Sequence, residues 1–238
     1  MFYKAAKIAI RYLLNFIFDT VKILIVVATA KEVALLKKAV RKVPALEKKT
    51  DFLVTGVGMT ATAYQLAKKL QENKFDLAVN LGIAGSFRKS LKTGEVLNVA
   101  GDCFADLGAR GGNQFLTLAE MGLQKRSQYP FRKGRLYNAG ASKYSSLRKL
   151  KKVNAITVNT VYSGISGMKS VVKKFNPDIE TMEGAAFFYV CMMEKLPCVQ
   201  LRAVSNIAGI RDKKKWNIPL ALKNLSGVAI DFLLSTHK

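Results

Sequence analysis

Glu183 stands inside the run IETMEGAAFFYVC, Ile179 to Cys191, among small and apolar residues at the start of a helical stretch. A carboxylate there either serves the positive end of the helix dipole or faces something bound at the helix mouth. Four further features fall where an alternating strand–helix chain gathers its ligands, at the C-terminal ends of strands. Glu32 follows the first apolar run, KILIVVA. Gly56 and Gly58 form the TGVG turn after the second run, and Gly82 and Gly85 the LGIAG turn after the third. Asn206 ends CVQLRAVSN. Each is a weak signal alone. With Glu183 they describe a cleft holding two carboxylates, one amide and backbone open to close approach.

Other chemistries lack their residues. The single histidine, His237, adjoins the C-terminus, which argues against a Ser-His-Asp triad and a His-ligated metal. Cys103, Cys191 and Cys198 are odd in number, far apart and in apolar surroundings. That is the usage of buried free thiols in a reducing, cytoplasmic compartment, and no metal-ligand spacing is present. Neither glycine turn matches a dinucleotide fingerprint or a P-loop, so no cofactor is expected.

The elements that must carry these residues alternate. KILIVVA, from Lys22, is a continuous apolar run suited to a strand buried on both faces. KEVALLKKAVRK has helical spacing, DFLVTGVG is a second strand, MTATAYQLAKKLQEN a second helix and FDLAVNLGIAG a third strand. Gly94 to Gly140 is richer in turn residues, with further strands and a long loop. NAITVNT is a late strand, GMKSVVKKF a helix, Glu183 to Leu196 the apolar helix, CVQLRAVSN a strand and WNIPLALKNLSGVAIDFLL the closing helix. The pattern predicts an α/β fold: one three-layer αβα domain over residues 22–238 around a twisted, mostly parallel mixed sheet.

The formal charge of +23, from 39 Lys+Arg against 16 Asp+Glu, brings nucleic acid to mind. The basic residues are spread in pairs such as Lys37-Lys38, Lys68-Lys69 and Lys173-Lys174, on polar helix faces and without a recognition motif. A solvated, lysine-biased surface is the expectation, with no specific nucleic-acid partner. Residues 1–21 read as a basic and apolar extension. Arg11 and Asn15 interrupt its apolar stretch, which is too short to span a bilayer, so no integral membrane insertion is expected.

From Lys22 to about Leu234 the motifs resemble the nucleoside phosphorylase/nucleosidase superfamily, and within it the methylthioadenosine/S-adenosylhomocysteine nucleosidases and the futalosine hydrolases. The resemblance lies in KILIVVATAKEV, TGVGMTATA, NLGIAGSF, the pair Met182-Glu183 and RAVSN, taken in order. ADLGARGGNQFLTL, TMEGAAFFYVC, LRAVSN and WNIPLALKNL are similar to the futalosine hydrolases.

The resemblance implies cleavage of an N-glycosidic bond of a purine nucleoside by a homodimer or higher homo-oligomer. It gives Glu32 the role of base for the attacking water, Glu183 that of ribose-hydroxyl ligand and Met182 a packing role against the sugar. Tyr162 would lie against the purine. Gly58, Gly82 and Thr181 would border the substrate. Asn206 stands where adenine-specific relatives carry Asp; its amide can donate to N7 and O6 of a 6-oxopurine. Thr181 stands where they carry Glu, a loss that suits a substrate with an anionic 5′ extension, and Arg110, Arg211 and Lys213 are candidate cations for it. Asn80 stands where phosphorylases of the superfamily carry a phosphate-binding Arg. The implied reaction is hydrolysis of futalosine to hypoxanthine and dehypoxanthine futalosine, a step of menaquinone biosynthesis. A purine nucleoside phosphorylase, an adenine nucleosidase and a non-catalytic basic protein binding nucleic acid or a membrane surface remain as alternatives.

Overall fold

The computed structural model describes residues 21–111, 114–138, 143–161, 163–210 and 212–236, with the side chains of 165–168 excepted. The expected extension, apart from Val21, lies outside the described residues. The elements run β1 (Ile23–Val27), α1 (Ala30–Val40), α2 (Pro44–Glu47), β2 (Thr50–Val54), α3 (Met59–Glu72), β3 (Leu77–Ser86) and β4 (Val96–Asp102). A hairpin of β5 (Gly108–Gly111) and β6 (Gln114–Thr117) follows, then β7 (Leu136–Tyr137), α4 (Ser145–Arg148), β8 (Lys151–Thr157) and α5 (Ile165–Phe175). β9 (Ile179–Thr181), α6 (Gly184–Met193), β10 (Cys198–Ile207) and α7 (Ile218–Ser235) complete the chain.

The apolar runs form strands buried on both faces because helices cover both faces. Ile23, Ile25 and Val27 of β1 pack with Val33 and Leu36 of α1 and Leu225 and Phe232 of α7. Leu24 and Val26 point the other way, into a cluster with Leu66 of α3 and Phe187 of α6. This is the expected three-layer arrangement. α6 is apolar all round because it is enclosed: Phe187 and Phe188 are both 0% exposed, each contributing on the order of 1.5–3 kcal/mol relative to exposure.

The sheet is parallel along β2–β1–β3–β10 and β4–β8–β9, and antiparallel where β10 meets β4 and β3 meets β9. These pairings close β3, β10, β4, β8 and β9 into a ring, which the local sequence pattern did not suggest. A second difference concerns the LGIAG segment. It is not a turn: β3 runs through Gly82 and Gly85, paired with β10 from Ala78 to Ser86 across one register shift beside Gly85. The glycines are there for clearance. A Cβ at Gly82 would stand 2.8 Å from Arg202 Nη1, and one at Gly85 would stand 3.1 Å from Glu180 Oε1. The three cysteines are buried free thiols, as expected.

Candidate active site

The ends of β1, β3, β9 and β10 and the start of α6 border a cavity of about 380 Å³. Glu32, Thr181, Met182, Glu183 and Asn206 all line it, five positions drawn from segments far apart in sequence. Gly58 and Gly82 lie just behind this lining. Tyr162 and Arg211 lie outside the described residues, although the neighbouring Val161 and Ile210 line the cavity. Arg110, on β5, and Lys213, in a 3-10 turn, are not part of the wall; among the described residues the cation that is part of it is Lys31.

Glu183 is the N-cap of α6. Its side chain makes no capping bond to its own helix; Oε1 instead accepts from the backbone N–H of Gly58, at 3.0 Å. Gly58 caps α3 with φ +97°, a conformation that favours glycine, so the TGVG turn aims an amide across at α6. Burial raises the Glu183 pKa, while Arg202 and the Gly58 N–H act to lower it.

Glu32 has two faces. Oε2 accepts from Thr29 N at 2.8 Å and from Thr29 Oγ1 at 3.1 Å, a capping box at the start of α1. Oε1 lies over Gly82, 3.1 Å from where a Cβ would stand there. One oxygen is thus committed to the start of α1, and the other is turned toward Gly82.

Asn206 follows a bulge in β10: Val204 pairs with Ala84 and Asn206 with Gly85, leaving Ser205 between them. A bulge re-aims the side chain that follows it. The amide is pinned at both ends, with Oδ1 accepting from Ser205 Oγ at 2.7 Å and Nδ2 donating to Ile207 O at 2.9 Å. The second Nδ2 hydrogen has no acceptor among the described residues. Thr181 is 4% exposed, and its hydroxyl accepts from Gly184 N at 3.2 Å.

Beneath this wall lies a residue to which the sequence reading gave no role. Arg202 of β10 is 1% exposed and passes over Gly82. Nη2 donates to Asn80 Oδ1, and Asn80 Nδ2 donates to Val26 O at 2.9 Å. Nε and Nη1 have no hydrogen-bond partner among the described residues. Burial lowers the Arg202 pKa, and the charges of Glu183, Glu32 and Asp102 oppose that, in decreasing order. One buried guanidinium thus serves as counter-charge to both cavity carboxylates. Its signal in the sequence is a charge inside an apolar strand. Glu180, Lys31 and Trp216 are further wall residues that the motifs did not single out.

A larger cavity, about 690 Å³, is bounded by Phe104, Phe131, Phe175 and Arg135 and contains none of the wall residues of the smaller one. Its only carboxylate among the lining residues, Glu120, is tied to Lys174 at 2.6 Å. The smaller cavity is the one with converging acid–base groups.

The chain is 29% identical over 178 residues to a futalosine hydrolase of Thermus thermophilus, covering 74% of this chain and 77% of that protein. It is 28% identical over 189 residues to a 5′-methylthioadenosine/S-adenosylhomocysteine nucleosidase of Buchnera aphidicola, covering 77% and 73%. The nucleosidase of the same name from Neisseria meningitidis, in complex with methylthio-immucillin-A, superposes with a TM-score of 0.73 at 19% identity, over 91% of this chain and 99% of that one. The sequence pattern of the Phosphorylase superfamily runs through residues 22–234, from the first core strand to the last turn of α7, and this chain belongs to that superfamily.

Proposed function

We propose that this chain is an N-glycosidase that hydrolyses a 6-oxopurine nucleoside, with futalosine as the substrate. The observation that carries this reading is the convergence of Glu32 and Glu183 on one cavity over one buried guanidinium. Cleavage of the C1′–N9 bond passes through an oxocarbenium-like state, which a nearby carboxylate stabilises. Glu183 supplies that charge and accepts from the ribose hydroxyls, held by Gly58 N–H at 3.0 Å. Glu32 takes a proton from water through the oxygen not used by Thr29. The water oxygen bonds to C1′, the bond electrons leave with the purine, which takes up a proton from solvent, and Glu32 returns the proton it gained to solvent. Arg202 opposes the effect of burial on Glu183 and so favours its ionised form.

Water is favoured over phosphate as nucleophile. Asn80 occupies the position of the phosphate-binding Arg and is fully engaged with Arg202 and Val26. Arg202 itself is 1% exposed under β3, out of reach of a bulky dianion. Asn206 supports a 6-oxopurine because its remaining N–H can meet N7 or O6, whereas an ionised carboxylate would repel O6. Lys31 on the wall supports an anionic 5′ substituent. The Thermus and Buchnera relatives name the two competing substrates, futalosine and methylthioadenosine. The test is release of free base from futalosine, inosine and methylthioadenosine, with and without phosphate. Fastest release from futalosine without a phosphate requirement is expected. A preference for methylthioadenosine, or a phosphate requirement, would overturn the assignment.

A further inference from the structure

Asp102, the last residue of β4, is 0% exposed and does not border the cavity. Oδ1 accepts from Cys103 N at 2.8 Å and from Thr157 Oγ1 at 3.0 Å, and Oδ2 accepts from Gln200 Nε2 at 3.2 Å. The Thr157 hydroxyl accepts from Ala185 N at 2.8 Å and lies 3.0 Å from Thr181 Oγ1, which accepts from Gly184 N. One arrangement of hydrogens satisfies all of these. Gly184 N–H donates to Thr181, Thr181 O–H to Thr157, and Thr157 O–H to Asp102. The first two amides of α6, the helix that Glu183 caps, thus drain through two threonines onto one buried carboxylate. Gly184 permits this closeness, since a Cβ there would overlap Gln200 Nε2 and Asp102 Oδ2. Asp102 also faces Arg202, the counter-charge of Glu32 and Glu183.

We propose that Asp102 is a positioning residue for the hydrolytic step: its charge, relayed through Thr157 and Thr181 and shared by Arg202, fixes the first turn of α6 and thereby Glu183. This rests on the nucleosidase reading of the cavity. Negative charge at Asp102 favours the N-terminal end of the α6 dipole. It also holds Arg202 against the pull of the cavity carboxylates. Burial raises the Asp102 pKa to about 6, with the hydrogen bonds from Gln200, Thr157 and Cys103 and the charge of Arg202 opposing it. The group is therefore charged above that pH and neutral below it. Gln200 accommodates both states. Its Oε1 has no hydrogen-bond partner among the described residues, and a rotated amide would present that oxygen to a protonated Oδ2. The other groups facing Asp102 are the Cys103 thiol, pushed up to about 12 by burial, and, beyond Arg202, Glu32 and Glu183.

The test is Asp102→Asn. The amide oxygen keeps the bonds from Cys103 and Thr157, and the new NH2 donates to rotated Gln200, so only the charge is removed. Turnover should fall about a hundredfold, the scale of a slightly misplaced functional group, with KM little changed. The wild type should lose turnover as pH falls through about 6, toward the level of the variant, and the variant should lack that limb. Thr157→Val breaks the relay while leaving the charge; it should lose turnover similarly, and Thr157→Ser should restore it. If Asp102→Asn does not fold, the threonine pair decides. A folded Asp102→Asn with wild-type turnover and pH profile, or a Thr157→Val protein with wild-type turnover, would overturn the proposal. A wild type that releases no base from any nucleoside would instead sink the nucleosidase reading, and this inference with it.

Discussion

Replacing Glu183 by Gln tests the ribose contact, and the structure sets the size of the effect. Oε1 already accepts from Gly58 N–H at 3.0 Å, and a glutamine oxygen can keep that bond. The second oxygen becomes an NH2, so a hydroxyl that donated to it meets another donor. A hydrogen bond to a charged partner contributes about 1.5–3 kcal/mol net. At 1.4 kcal/mol per factor of ten, kcat/KM should fall roughly 10- to 140-fold. The fold should survive, because Arg202 keeps Glu32 and Asp102 as counter-charges. A cycle of wild type and Glu183→Gln against ribo and 2′-deoxy substrates removes the different intrinsic reactivity of the two sugars. Base release is followed chromatographically for all four combinations. If Glu183 holds the 2′-hydroxyl, the variant should discriminate between the sugars far less than the wild type. Effects that simply multiply, within the 0.3–0.5 kcal/mol seen for independent sites, would refute the contact.

Glu32→Gln should keep the Thr29 bonds of the capping box, and hence the fold, while slowing turnover by roughly a hundred- to ten-thousand-fold; near-normal single-turnover rates would remove Glu32 as the base. Asn206→Asp should shift selectivity toward adenine. The Ile207 carbonyl faces this side chain, which favours a protonated acid donating there from the oxygen that replaces Nδ2; that oxygen then turns a lone pair, in place of the second N–H, toward the base, accepting from a 6-amino group and meeting a lone pair on a 6-oxo group. Leaving that buried polar group unpaired costs about 1–3 kcal/mol, so the ratio of 6-oxo to 6-amino kcat/KM should fall roughly tenfold to a hundredfold. Equal losses on both substrates would assign Asn206 to site structure.

The α/β alternation was legible because β1 is an uninterrupted apolar run and α1 and α3 carry a 3.6-residue stripe. Glu183 was legible because a charge at the mouth of an all-apolar helix conflicts with its surroundings. Asp102 and Arg202 were harder to read. Each is one charge within a run whose periodicity says strand, and its meaning depends on partners that only the closed sheet brings together. The closure itself rests on β10 pairing with both β3 and β4, a long-range choice with no local sign. Gly82 departs from the expectation for a related reason. Glycine after an apolar run ordinarily marks a turn, whereas here it makes room for Arg202 crossing the strand. β8 begins ahead of the expected NAITVNT, because Lys151 and Lys152 are exposed and polar at the beginning of a strand whose buried part begins at Val153.

Isotope tracing of the nucleophile bears most directly on the central claim. Futalosine is turned over in water enriched in oxygen-18, with and without phosphate, and the sugar product is weighed by mass spectrometry. The account predicts free hypoxanthine and a sugar product carrying one heavy oxygen at C1′, equally in both conditions. A sugar 1-phosphate lacking the label, formed only when phosphate is present, would contradict it.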